Sequence, residues 1–188
     1  MSLSPPATRE PLHHRRVDCR GYRRADGLWD IEGHLTDVKA YTFENAWRGR
    51  IQPGEPLHEM WLRLTLDDEL TVIRAEAATV AGPYEVCPAI TPAFAKLEGL
   101  RIGPGWRRAV QARLGGVRGC THLVELLGPI ATTAYQTIYS WRAQREPRIE
   151  AERPPRHLDS CHALARDGEV VRYHHPRWYT GPDRDAAD

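Results

Sequence analysis

The residues of this 188-residue chain whose types can carry chemistry are His58, Cys87, Cys120 and His122. Cys120 follows Gly119 and opens a stretch of helical spacing, Thr121-His122-Leu123 onward. A thiol at a helix N-terminus meets unpaired N–H donors and the positive end of the dipole, which favour the thiolate. His122 lies two residues on, and His58 begins a strand on its core-directed face, so either imidazole can act as general base or acid near neutral pH. His58, Cys120 and His122 are therefore the candidate catalytic residues. The commoner fate of such groups is plainer: a small buried hydrophobe for a free cysteine and a satisfied imidazole for a histidine.

Three further residues can hold a substrate. Arg23, beside Tyr22, has a guanidinium fork that binds carboxylate or phenol oxygens in pairs. Tyr84 stands close to Cys87 and offers a phenolic donor. Asp37 is the odd carboxylate on an apolar strand face, and a buried carboxylate needs a partner. Lys39 or one of Arg15, Arg16, Arg20, Arg23 and Arg24 supplies it if Asp37 forms a structural ion pair. The pairs His13-His14 and His174-His175 are not read as metal ligands, because adjacent strand side chains point to opposite faces. Cys161, near Asp159 and His162, is an outer candidate.

The elements that must position these groups follow from periodicity. Residues 13 to 24 and 27 to 41 read as a hairpin around Ala25, Asp26 and Gly27. In its second strand Trp29, Ile31, Gly33, Leu35 and Asp37 share one face. Residues 42 to 56, with Pro53 and Gly54, read as a long loop. A second strand pair places His58, Met60, Leu62, Leu64 and Leu66 on one face, turns at residues 67 to 69, and runs back through LTVIRAEAATV. Helical spacing then gives three helices: Phe94, Leu97 and Leu100 in the first, Trp106 to Leu114 in the second, and Leu123 to Ile138 in the longest, kinked at Pro129. Residues 145 to 156 read as a linker, and EVVRYH as a short returning strand. The organisation expected is a flexible lead-in over residues 1–11, a single α+β domain over 12–181 with a returning C-terminal segment, and a disordered tail over 182–188.

Composition narrows the function classes. Lys plus Arg at 26 against Asp plus Glu at 25 leaves no global field for a nucleic-acid backbone or an anionic membrane, so neither partner is expected. No apolar run is long enough to span a bilayer and no secretory signal is visible, which points to the cytoplasm. Four cysteines are too few and scattered for a disulfide framework, which makes them thiols or ligands. Six Trp and seven Tyr against two Phe mean that most rings carry a polar handle, as a pocket for a small-molecule substrate needs. No glycine-rich dinucleotide fingerprint or phosphate loop is present, so no nucleotide cofactor is indicated. Open sheet edges make a homodimer a natural expectation.

The segments HRRVDCRGYRRADGLWDIEGHLTDVKAY, GEPLHEMWLRLTL and LGGVRGCTHLVELL resemble the bacterial domain-of-unknown-function family 2889. That resemblance implies a setting among catabolic genes for aromatic and acyl substrates. A second resemblance concerns shape: strands, then PYEVCP and helices, then LGGVRGCTHL opening the last helix, is similar to the U-type iron-sulfur assembly scaffold fold. It implies a small antiparallel sheet packed against three helices. It also implies that His58, Cys87, Cys120 and His122 converge as a Cys2His2 set, suited to a single zinc or iron ion. Pro56 stands where that family's first cysteine falls, and the spacing after Leu-Gly-Gly is shorter.

These observations yield an α+β fold and two functional expectations. The first is a small catabolic enzyme, a lyase-type acid-base catalyst for an aromatic or carbonyl-bearing molecule, with no metal required. The second is a zinc- or iron-binding thiol scaffold that hands metal or sulfur to a partner.

Overall fold

The computed structural model describes residues 3–145, 153–155 and 157–182. The chain divides into two compact units, Met1–Arg145 and Glu146–Asp188. Most of the expected linker over residues 145–156, and nearly all of the expected tail over 182–188, lie outside the described residues.

The first unit is built on a four-stranded antiparallel sheet of order β1-β2-β5-β6. Strands β1 (His13–Arg23) and β2 (Trp29–Lys39) form the expected hairpin, in register from Arg23 opposite Trp29 to His13 opposite Lys39. Its turn is set by local chemistry: Gly27 takes φ +89°, and the Asp26 carboxylate accepts the Leu28 N–H at 3.2 Å. Strand β5 (Pro56–Leu66) pairs with β2 and then with β6 (Val72–Ala81). On β2 the side chains alternate between buried and half-buried, so one face of the sheet is core.

Where the sequence reads as an uninterrupted loop, the structure holds a small hairpin of β3 (Phe43–Asn45) and β4 (Gly49–Ile51). Three-residue strands are too short for alternation to register. Ile51, fully buried, anchors this hairpin.

Three longer helical elements and a 3₁₀ turn at Gly116–Arg118 complete the unit and bear out the α+β class. The first is a 3₁₀ run, Cys87–Leu97, beginning well before Phe94. Pro88 and Pro92 have no N–H for an α ladder, which favours the tighter geometry. Helix α1 (Trp106–Leu114) matches its expected span. Helix α2 (Thr121–Ala143) contains Pro129 and buries Leu123, Leu126, Leu127, Ile130, Ala134 and Ile138. Two glycines on the sheet admit α2 closely. A Cβ on Gly33 would stand 2.7 Å from Ile130 Cδ1, and one on Gly21 would collide with the Thr137 hydroxyl. At the far end of the sheet Trp29 packs edge-on against Trp141, with ring centroids 5.3 Å apart, and gives its indole N–H to Asp68 at 2.9 Å.

In the second unit the segment EVVRYH is not a strand but a helix, α3 (Glu169–His174). The paired valines carry strand propensity, yet only Val171 is fully buried while Val170 is exposed. Among the described residues of this unit there is no strand for it to pair with, so the turn starting at Gly168 continues as helix.

Candidate functional site

The sheet register assembles the site. Arg15 on β1 lies opposite Asp37 on β2, and Asp37 lies opposite His58 on β5, so three strands contribute one row of side chains to the core face. This row lies near the chain end of β2, beside a bulge between Asp37 and Val38. The first turn of α2 brings His122 against it, with the His58 and His122 ring centroids 3.8 Å apart and the planes tilted by 31°.

Asp37 is the anchor. Its side chain is 2% exposed and nearly every acceptor position is used. Oδ1 accepts Arg15 Nε at 2.8 Å and lies 2.8 Å from His13 Nε2, while Oδ2 accepts Arg15 Nη2 at 2.8 Å. His58 Nδ1 is 3.1 Å from Oδ2, although its direction is poor for a hydrogen bond and Nδ1 has no aligned partner. Burial works against ionisation of Asp37, but the Arg15 fork and the His13 contact outweigh it and hold the carboxyl far below the usual range. Arg15 is held in turn by Glu125 of α2, with Nη1 2.5 Å from Oε2.

The two imidazoles respond in the opposite sense. Burial, reinforced by the neighbouring His122, pushes His58 down to about 4 despite the Asp37 carboxylate. Burial and then the Arg15 charge push His122 down as well. Both rings are therefore neutral at pH 7, the form in which imidazole accepts a proton or binds a metal.

Cys120 occupies the N-cap of α2, as expected, with its Sγ 4.0 Å from His122 Nδ1 and 3.9 Å from Met60 Sδ. The expected Cys2His2 set is not assembled. Among the described residues, the group whose ligand atoms all lie within 4.8 Å of one another is Asp37, His58 and His122, with no cysteine in it. Cys87 instead starts the 3₁₀ run and packs beside Gly82, where its Sγ would be 3.3 Å from an added Cβ.

Neither remaining substrate-binding candidate joins the group. Arg23 lies eight residues from Arg15 along β1, about 26 Å at strand rise. There its guanidinium stacks over Trp29 and Trp141 and donates to the Leu28 carbonyl. Tyr84 is half exposed and packs edge-on against Trp47, with centroids 4.9 Å apart. Asp37, by contrast, sits at the centre of the group, with Arg15 as its partner. The exposed Cys161 belongs to the second unit.

Sequence reasoning missed His13 and Glu125. His13 was recoverable: counting back from the Ala25-Asp26-Gly27 turn puts residues 13 and 15 beside 39 and 37 on the same face as Asp37. Glu125 follows from no spacing rule, because its contact crosses from α2 to β1.

A family model described as a protein of unknown function, DUF2889, matches residues 13–136. The chain belongs to this family. The DUF2889 match begins at His13 and takes in His13, Arg15, Asp37, His58, Cys120, His122 and Glu125. No curated protein and no solved structure matches the chain. For this DUF2889 chain, chemistry has to be argued from the side chains themselves. No helix among the described residues is long and apolar enough to cross a membrane.

Proposed function

We propose that the chain is an enzyme that removes a proton from a small carbonyl-bearing molecule, with His58 as the base. One observation carries this reading: His58 Nδ1 lies 3.1 Å from the buried Asp37 carboxylate, which leaves Nε2 as the ring nitrogen for a ligand. Asp37, Arg15 and His13 are positioning residues, since the carboxylate is committed to them. An enzyme base needs such a third group to orient it.

In a lyase-type reaction the C–H bond next to the carbonyl breaks and its proton passes to His58 Nε2. The electron pair then forms a C=C bond as the leaving group departs, taking a proton from the His58 imidazolium, which returns the base to its resting form, or from water. A resting site with two neutral imidazoles accepts a proton more readily than it gives one, so abstraction is the step it favours. The enolate that develops stabilises the imidazolium formed on His58. Cys120, close to His122, is the candidate supporting thiol.

The test is solvent deuterium exchange. The purified protein is incubated in D2O with a panel of aliphatic and aromatic carbonyl compounds, and loss of the proton next to the carbonyl is followed by NMR. Protein-dependent exchange that falls at least a hundredfold in His58→Ala is expected. Exchange no faster with wild-type than with His58→Ala protein across the panel would overturn the reading.

A second reading has its own observation. The ligand atoms of Asp37, His58 and His122 lie within 4.8 Å of one another, and His58 Nδ1 is buried without an aligned hydrogen bond. Two imidazoles and a carboxylate suit zinc or iron(II). Asp37 would then have to release Arg15 or His13, which weighs against it. Stoichiometric metal in purified protein, lost in His122→Ala, would favour this reading over the first. The thiol-scaffold alternative would need Cys87 among the ligands.

A further inference from the structure

We propose that the groove between α1 and α2 binds the apolar body of a small organic carboxylate, with Arg107 as the partner of its charge. The groove encloses about 260 Å³. That is below the roughly 300–1,000 Å³ of sites for drug-sized ligands, so it suits a molecule about the size of a single ring. Its floor is apolar and comes from both helices: the Trp106 indole and Val110 of α1, with Leu127 of α2, all buried. A flat apolar body gains most from aromatic and aliphatic walls of this kind.

The polar side chains on the rim decide the charge. Glu125 is already engaged, because its carboxylate holds Arg15, which Asp37 also holds. Arg107 also lines the groove, is exposed, and has no ion-pair or hydrogen-bond partner among the described residues. The charged group at the groove that is free to bond a ligand is therefore Arg107, whose planar fork receives a carboxylate by two parallel hydrogen bonds. An ammonium ligand would meet Arg107 as a like charge.

Glu125 also connects the groove to the Asp37 group, since the side chain that lines the one holds Arg15 in the other. A ligand in the groove is thus linked to the proposed reaction centre through Glu125 and Arg15. Calling that ligand a substrate rests on the enzyme reading above; its binding does not.

The experiment uses benzoate as the probe and benzylamine as the control of opposite charge, titrated into the full-length protein by calorimetry and ligand-observed NMR. Benzoate should saturate one site. Arg107→Gln, an exposed change, should weaken it at least tenfold, and Val124→Phe, which narrows the groove, should weaken it similarly. Benzylamine should not compete. His58→Ala should bind benzoate as wild type does, even where it loses deuterium exchange, so the two readings fail separately. No saturable benzoate binding, or affinity unchanged in Arg107→Gln and in folded Val124→Phe, would overturn the proposal.

Discussion

Replacing Asp37 with asparagine keeps the volume of the side chain but removes its charge, and the structure sets the cost. The carboxylate accepts Arg15 at two 2.8 Å contacts, and lies 2.8 Å from His13 Nε2 and 3.1 Å from His58 Nδ1. An amide offers one oxygen and turns an NH2 toward donors in place of the second. Removing one partner of a buried ion pair costs roughly 3–5 kcal/mol. Arg15 is 35% exposed and already shares Glu125, so part of its solvation returns and the expected loss is discounted to about 2–3 kcal/mol. Urea unfolding at pH 7 measures it directly, with the slope unchanged if the unfolded state is unaffected.

The same variant makes a signed prediction in acid. The folded Asp37 carboxyl titrates below its unfolded value of about 3.9, so its contribution is present above that value and lost as pH falls through the folded one. Wild type and Asp37→Asn should therefore differ fully at pH 7 and converge below about pH 4. The apolar pair Arg15→Met with Asp37→Leu should recover much of the stability lost in Asp37→Asn. An Asp37→Asn protein within about 0.5 kcal/mol of wild type at pH 7 would refute the view that this carboxylate anchors the sheet row.

Other consequences follow from the same geometry. In EDTA-treated protein, His58 stays neutral in the folded state down to about 4 while the unfolded histidine binds a proton near 6.5. Stability should thus fall by about 3 kcal/mol as pH drops across that window, and His58→Gln should flatten this part of the curve; a slope unchanged in the variant would count against burial as the cause. Gly33→Ala places a methyl group 2.7 Å from Ile130 Cδ1 and should destabilise by about 1–3 kcal/mol, with Ile130→Val restoring part of it in thermal melts. Cys120→Ser should leave unfolding within about 1 kcal/mol of wild type, since the thiol is only partly buried and its polar contacts, to Met60 Sδ and His122 Nδ1, are 3.9 Å and 4.0 Å long, while slowing any deuterium exchange that depends on His122.

Much of the fold was legible because its elements are long and strongly patterned. The alternation on β2 and β5, each 11 residues, is enough by itself to place Asp37 and His58 on the core face. The apolar spacing of α2 did the same for the last helix. What escaped notice was short or locally ambiguous. The β3–β4 hairpin has three residues per strand, below the length at which a period can be read. In α3 the two valines favour a strand locally, and the absence of a neighbouring strand among the described residues of its unit decides for helix. The prolines in the 3₁₀ run obscured its true start at Cys87.

The site divides along the same line. Residues on paired strands can be placed by counting: the hairpin register joins Arg15 to Asp37, and strand β5 adds His58. Residues on helices reach the site only through packing, which depends on how closely α2 approaches Gly21 and Gly33. That approach brings His122 and Glu125 down onto the row, while Cys87, on a separate run held against Gly82, is left outside the group. The chemistry changes with this partition. A set of two thiols and two imidazoles would be a natural metal cage. Two neutral imidazoles beside a carboxylate already committed to arginine form a site whose least satisfied capacity is to accept a proton.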